Sequence, residues 1–194
     1  MPYIIEVPTT IPADRLDHAI AVMQEVVSKK YRFSLESWYD HAPLELKEVL
    51  ARAGSLNEVH ACGTTACVLG WIATTPEFKQ AGGEVELRSW GGGYITFEGK
   101  DGLEAGGAWM QDPFARLLFY PGSIELEEEY ERIEAMLPDH LKDVTLLASA
   151  YRLNSETVED NDQYDNITSQ EALDALMHIK ETGKIKIMVD EEGN

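Results

Sequence analysis

The chain has 194 residues, 44% of them hydrophobic, which is enough to bury a core in one domain and excludes an intrinsically disordered protein. No run approaches the ~18 apolar residues that span a bilayer, and no basic segment opens the chain, so we expect neither a membrane span nor a cleaved signal peptide. Its formal net charge of −19 repels phosphates and disfavours direct binding to DNA or RNA. We therefore expect a soluble cytoplasmic protein with a single domain, residues 1–194.

Hydrophobic periodicity predicts the elements of the first part of the chain. Apolar residues recur at three- and four-residue steps after Pro12, which is typical of an amphipathic helix whose first turn tolerates proline. The predicted elements before the cysteines are a strand at 3–7, a helix at 13–30, a short turn at 34–38 and a helix at 44–52.

Both cysteines of the chain lie in the segment 60–71, which we call the box. The box leads into a helix, extending to about Thr74, that is apolar on nearly every side, and Thr64 or Thr65 can cap its first turn. A helix apolar all round must be buried. We therefore interpret the box as a packing centre, with its members Cys62, Gly63, Thr64, Thr65, Cys67, Gly70 and Trp71.

Three other interpretations of the box remain open. Cys62 would lie just before a helix N-terminus, which favours a thiolate, so the box is also an alternative enzyme or small-ligand site. A disulfide between Cys62 and Cys67 is geometrically possible but disfavoured without export. A metal held with His60 and His41 has no recognised zinc spacing, so we predict no metal and no cofactor.

The chain after the box predicts a hairpin and then mostly helices. Strands at 84–90 and 94–98 alternate polar and apolar residues on either side of Gly91-Gly92-Gly93, and glycine allows the tight turn. The other predicted elements are a turn at 76–81, helices at 102–110, 113–119, 123–137, 138–151 and 168–181, a loop at 155–166, and a strand at 184–190. Thr168 and Glu171 have the spacing of a capping box.

These elements predict an α+β fold. We expect one mainly helical domain with a small antiparallel or mixed sheet, in which the central hairpin joins one or both terminal strands. Lysine alternates with isoleucine at 184–187, which suits a sheet edge.

Acidic residues are concentrated in the second half of the chain. Residues 1–100 carry 13 acids and 9 bases, a net of −4, whereas residues 101–194 carry 22 acids and 7 bases, a net of −15. Such a surface can bind a basic protein, including one that normally holds nucleic acid, or can simply keep the chain soluble. The predicted partner-binding residues are Glu125, Glu127, Glu128, Glu129, Glu131, Glu134, Asp160 and Asp162.

The segment from Cys62 to Trp71 resembles a group of uncharacterised bacterial and bacteriophage proteins that have a Cys-Gly-Thr-x-x-Cys-aliphatic-x-Gly-Trp segment. The order of elements up to about Tyr120 is also similar. The resemblance implies an accessory protein of phage or bacterial origin and supplies no catalytic residue. Together with the charge, it leads us to expect a non-enzymatic protein that binds a basic host surface, as an inhibitor or a nucleic-acid mimic.

Overall fold

A computed structural model of the chain describes part of it: residues 3–9, 11–34, 55–61, 63–80, 83–87, 93–97, 135, 146–147 and 167–189. Several predicted elements lie outside the described residues: the turn at 34–38 apart from its first residue, the helices at 44–52, 102–110 and 113–119, and the loop at 155–166. Of the predicted acidic helix at 123–137 only residue 135 is described, and it is helical.

Helices make up most of the described residues, which confirms the prediction of a mainly helical chain. They are α1 (Ala13–Lys29), α2 (Leu56–Ala61), α3 (Val68–Ala73), α4 (Pro76–Gln80) and α5 (Ser169–Thr182).

Helix α1 begins and ends through main-chain groups. The carbonyl of Pro12 accepts hydrogen bonds at 3.0 Å from the backbone N–H groups of Arg15 and Leu16. At the other end Lys30 adopts φ 56°, and the N–H of Tyr31 donates to the carbonyl of Val26 at 3.0 Å. This is the hydrogen bond of a Schellman motif with lysine where glycine is usual, so the helix ends without a glycine signal in the sequence.

Helices α2 and α5 both begin with a capping box. The predicted capping box at Thr168 and Glu171 is confirmed, since each side chain accepts a hydrogen bond from the backbone N–H of the other residue. The capping box that starts α2 was not predicted. In it the Ser55 N–H donates to the Glu58 carboxylate at 2.8 Å, and the Glu58 N–H donates to Ser55 Oγ at 3.3 Å. The sequence signal, Ser-x-x-Glu before an apolar residue, is present.

The described strands form two separate sheets, which differs from the single sheet that we predicted. Their bounds are β1 (Tyr3–Pro8), β2 (Gly83–Leu87), β3 (Gly93–Phe97), β4 (Leu146–Leu147) and β5 (Lys184–Val189). The central hairpin β2–β3 is antiparallel and stands alone, whereas the terminal strands pair in the order β1-β5-β4. Polar and apolar residues alternate along both hairpin strands, which predicts that each is a strand. The alternation does not specify whether another strand will pair with the hairpin.

Strand pairing also corrects two local predictions. Leu146 and Leu147 lie in a strand, although we expected a helix at 138–151, because they pair with Val189 and Met188 of β5. Strand β5 lies between β1 and β4, so its lysines do not mark a sheet edge. In both cases a partner distant in sequence determines the structure.

The two ends of the chain pack together around α1. Strand β1 pairs with β5 along its whole length, from Tyr3 opposite Val189 to Pro8 opposite Lys184. Helix α1 packs against both α5 and α3, so the first helix connects the chain ends to the box.

Candidate functional site

The second half of the box, from Ala66 to Trp71, is buried, and so are the residues that follow it as far as Thr75. Thr64 is also buried. Gly63 adopts φ +83°, which turns the chain between α2 and the box helix α3. Thr65 is half-buried, and Cys62 lies outside the described residues. Burial on every side of α3 is what we expected from its apolar sequence, and large side chains such as Trp71 and Leu69 supply it.

Residues 31–34, which follow α1, hold the box in place. Phe33 forms a parallel bridge with Ala66, and the Ser34 N–H donates to the Ala66 carbonyl at 3.3 Å. The indole N–H of Trp71 donates to the carbonyl of Arg32 at 3.1 Å, which satisfies a polar group that a buried tryptophan must pair. The sequence did not identify these contacts because the partners lie 32 to 39 positions apart.

An aromatic stack fixes the same junction. The Tyr31 ring stacks on His60, with centroids 4.6 Å apart, and on Trp71, at 5.4 Å. Burial, followed by the neighbouring Glu25 carboxylate, raises the pKa of Tyr31, so its phenol remains neutral at pH 7 and donates towards Glu25 Oε1 at 3.3 Å. The stack therefore orients His60 at the edge of the box.

Cys67, and neither threonine, caps the box helix. Its Sγ accepts a hydrogen bond from the Gly70 N–H at 3.4 Å, so the predicted cap at Thr64 or Thr65 is wrong. Complete burial raises the pKa of Cys67 to about 12, although nearby backbone N–H groups lower it in part. A nucleophilic cysteine must be a thiolate near neutral pH, so Cys67 is not one.

Thr64 differs from Cys67 in its hydrogen bonding. Its side chain is fully buried, and among the described residues its Oγ1 has no hydrogen-bond partner. A buried hydroxyl without a partner costs about 1–3 kcal/mol of desolvation. The box thus contains one polar atom whose presence packing alone does not explain.

The histidines that could serve a cysteine as a base are dispersed by the fold. Among the described histidines, only His60 contacts residues 31–34, through Tyr31 and the backbone N–H of Arg32. His18 contacts Thr75 at 3.0 Å, and His178 lies 3.6 Å from Glu6. His41 and His140 lie outside the described residues.

A cluster of Glu6, His178 and Thr182 joins the end of α5 to β1. Nε2 of His178 lies 3.6 Å from Glu6 Oε1 and 3.3 Å from Thr182 Oγ1, while the Thr182 hydroxyl donates to the His178 carbonyl at 2.8 Å. In a catalytic triad the two ring nitrogens contact the nucleophile and the acid separately. Here one nitrogen faces both, so the cluster is an attachment between elements.

The predicted partner-binding residues are not placed by the structure. Glu125, Glu127, Glu128, Glu129, Glu131, Glu134, Asp160 and Asp162 all lie outside the described residues. Within the part of the chain that is described, no three His, Cys, Asp or Glu side chains form a group suited to a metal ion. Among the same residues, no helix has the length and apolarity needed to cross a bilayer.

Comparison with known proteins finds no matching family model, no matching curated protein and no matching solved structure.

Proposed function

We propose that this chain is a non-enzymatic accessory protein of phage or bacterial origin that binds a basic surface of a host protein. The binding residues would be the acids at 125–134 together with Asp160 and Asp162. The observation that carries the proposal is the net charge of −15 on residues 101–194, against −4 on residues 1–100. A balance so uneven exceeds what solubility requires, and a field of one sign steers a partner of the opposite sign.

The partner class follows from electrostatics. A densely acidic surface competes with nucleic acid for proteins that bind phosphates through lysine and arginine, so the protein would act as an inhibitor or a nucleic-acid mimic. It would work in the cytoplasm, without a cofactor. Burial of Cys67 supports a non-enzymatic role, because it removes one of the two thiols from consideration as a nucleophile.

For the whole chain we propose a single α+β domain with a small sheet. Packing of the first helix and strand against the last helix and strand supports this, since the intervening residues must then start and finish on the same body.

The test is a pull-down from host lysate with the full chain as bait, compared with a variant that carries Glu127→Gln, Glu128→Gln and Glu129→Gln. We expect a protein recovered at 50 mM salt to be lost from the variant and to be released at about 300 mM salt, because salt screens exposed charges within a few ångströms.

The matched control removes three exposed acids elsewhere, with Asp14→Asn, Asp174→Asn and Glu181→Gln. This control should keep the partner although its net charge is the same as that of the triple glutamine variant. Recovery that is insensitive to salt, or equal loss in both variants, would refute binding through the acidic helix.

A further inference from the structure

Arg32 is held at the exposed rim of the box by three separate bonds. Its carbonyl accepts from the Trp71 indole at 3.1 Å, its backbone N–H donates to Nδ1 of His60 at 3.5 Å, and its Nη1 donates to the Gly63 carbonyl at 3.1 Å. An exposed arginine usually moves freely. Here main chain and guanidinium are both fixed to the same few residues.

The guanidinium of Arg32 has donors to spare. It carries five N–H groups, and the hydrogen bond to Gly63 occupies one of them. Within the described part of the chain no carboxylate forms an ion pair with it.

His60 supplies a second donor beside Arg32. Because Nδ1 accepts from the Arg32 N–H, the neutral ring must carry its proton on Nε2. The half-buried ring is fixed by its stack on Tyr31. His60 is therefore a second fixed side chain next to Arg32, and it carries its N–H on the ring nitrogen that does not contact the Arg32 backbone.

Gly63 keeps the space beside the guanidinium open. Among the described residues, a Cβ built on Gly63 would have Arg32 Nη1 as its neighbour within 4 Å, at 3.8 Å, so a side chain there would project next to the guanidinium. The φ of +83° also disfavours any residue with a side chain. Glycine thus leaves room for a small group against Arg32.

We propose that Arg32 and His60 form a binding site for an oxyanion, the carboxylate or phosphate group of a small molecule. The planar guanidinium fork matches two oxygens of either group, and Nε2–H of His60 can donate to the same ligand. The site is independent of the acidic surface at 125–134, and it gives the box a ligand that does not depend on a reactive cysteine.

The test is an NMR titration of the full chain with inorganic phosphate and, in a parallel arm, with acetate, both at constant ionic strength set by chloride. We expect saturable shifts of the Arg32 side-chain N–H signals, the His60 ring and the Gly63 amide. The arm with the tighter binding identifies the anion class, tetrahedral or planar. Shifts that stay absent or rise linearly in both arms overturn the proposal.

Two variants and a control assign the binding. Arg32→Gln should weaken it by about 10-fold or more, the effect of losing hydrogen bonds to a charged group. Arg32→Lys keeps the charge but loses the fork, and it should bind several-fold more weakly while its spectrum stays folded. Lys30→Gln removes a single positive charge from an exposed side chain two residues before Arg32, and this variant should bind the anion like the wild type. Equal weakening by Lys30→Gln would show a general charge effect and refute the site.

Discussion

Thr64 and Thr74 are two buried threonines of the box region that differ in one respect. The Thr74 hydroxyl donates to the Trp71 carbonyl at 2.7 Å, whereas Thr64 Oγ1 has no partner. Both side chains are at most 1% exposed. The pair therefore separates the energetic cost of a buried hydroxyl from the energetic gain of its hydrogen bond.

Replacing Thr64 with valine should leave the protein as stable as the wild type or stabilise it by about 1–3 kcal/mol. Valine has nearly the same shape and removes a polar atom whose desolvation is uncompensated. The measurement is the free energy of unfolding from urea denaturation.

The control for this prediction is Thr74→Val, which should lower the free energy of unfolding by about 1 kcal/mol because it removes a bond that is made. If Thr64→Val destabilised the protein as much as Thr74→Val does, the Thr64 hydroxyl would have a partner in solution, and the prediction would be wrong.

Cysteine at position 67 shows how residue chemistry and position interact. Threonine is the better helix cap, and two threonines precede the helix, so local preference favours them. The chain instead pairs Ala66 with Phe33 and starts the helix at Val68, two residues after the position where a Thr65 cap would start it. The contact between Ala66 and Phe33, which are distant in sequence, therefore accounts for Cys67 being the N-cap.

At the scale of elements, a side-chain hydrogen bond joins α1 to Thr75, the residue that precedes α4. Thr75 Oγ1 donates to the Ile72 carbonyl at 2.7 Å and accepts from the Phe78 N–H at 3.3 Å. The hydroxyl has a single proton, so Nε2 of His18, 3.0 Å away, must be the donor in their bond. His18 thereby supports Thr75, the residue before the start of α4 at Pro76.

His18 should make stability depend on pH. Burial lowers its pKa below 6.5, with Glu77 raising it in part and Arg15 lowering it further. Because the folded pKa lies below the unfolded one, the unfolded state binds more protons between the two values. The contribution is therefore complete above pH 6.5 and is lost as the pH falls through the folded pKa.

The measurement is the free energy of unfolding from pH 7 to pH 5 for the wild type and for His18→Gln. Glutamine can donate to Thr75 but does not titrate, so the wild type should lose more stability than the variant as the pH falls. The difference between the curves isolates His18 from other groups. A constant difference between the two curves, or a wild type that gains stability relative to the variant on acidification, would contradict the prediction.

Close packing between α4 and β2 also depends on one residue. A Cβ at Gly83 would overlap the ring of Phe78, which is fully buried, so the strand can pass over the helix only with glycine there. The sequence shows Gly82-Gly83 as a turn signal, but the contact that requires the second glycine is visible only in the structure.

At the scale of the whole molecule, the first and last described elements form one body. The β1–β5 ladder and the α1–α5 contact bring together residues separated by at least 140 positions. Two ion pairs lie across the same junction, Lys184 with Glu6 at 3.3 Å and Lys180 with Asp17 at 2.7 Å, although exposed pairs contribute little.

Ile185→Ala tests whether the ends unfold together. Ile185 is 1% exposed, so its truncation should lower the free energy of unfolding by about 2–5 kcal/mol. If the ends are one cooperative unit, hydrogen exchange at the α1 amides of Met23 and Val26 should lose protection by the same free energy.

Lys186→Ala is the control, on the next residue of the same strand, and should change stability by less than about 0.5 kcal/mol. Unchanged protection in α1 beside a destabilised β5 would show that the strand opens by itself, contrary to the prediction.

The sequence by itself determined the local features of this protein. The spacing of apolar residues predicted α1, the capping-box signal at Thr168 and Glu171 predicted α5, and the apolar sequence of the helix after Cys67 predicted that this helix is buried. These features involve residues within about four positions of each other, where helix geometry fixes the neighbours.

Only the tertiary structure decided which distant segments meet. It paired β5 with β1 and β4, kept the hairpin apart, turned Leu146 and Leu147 into a strand, and placed Arg32 at the rim of the box. The physical reason is that strand pairing and side-chain packing depend on partners far along the chain, which leave no periodic mark in either segment.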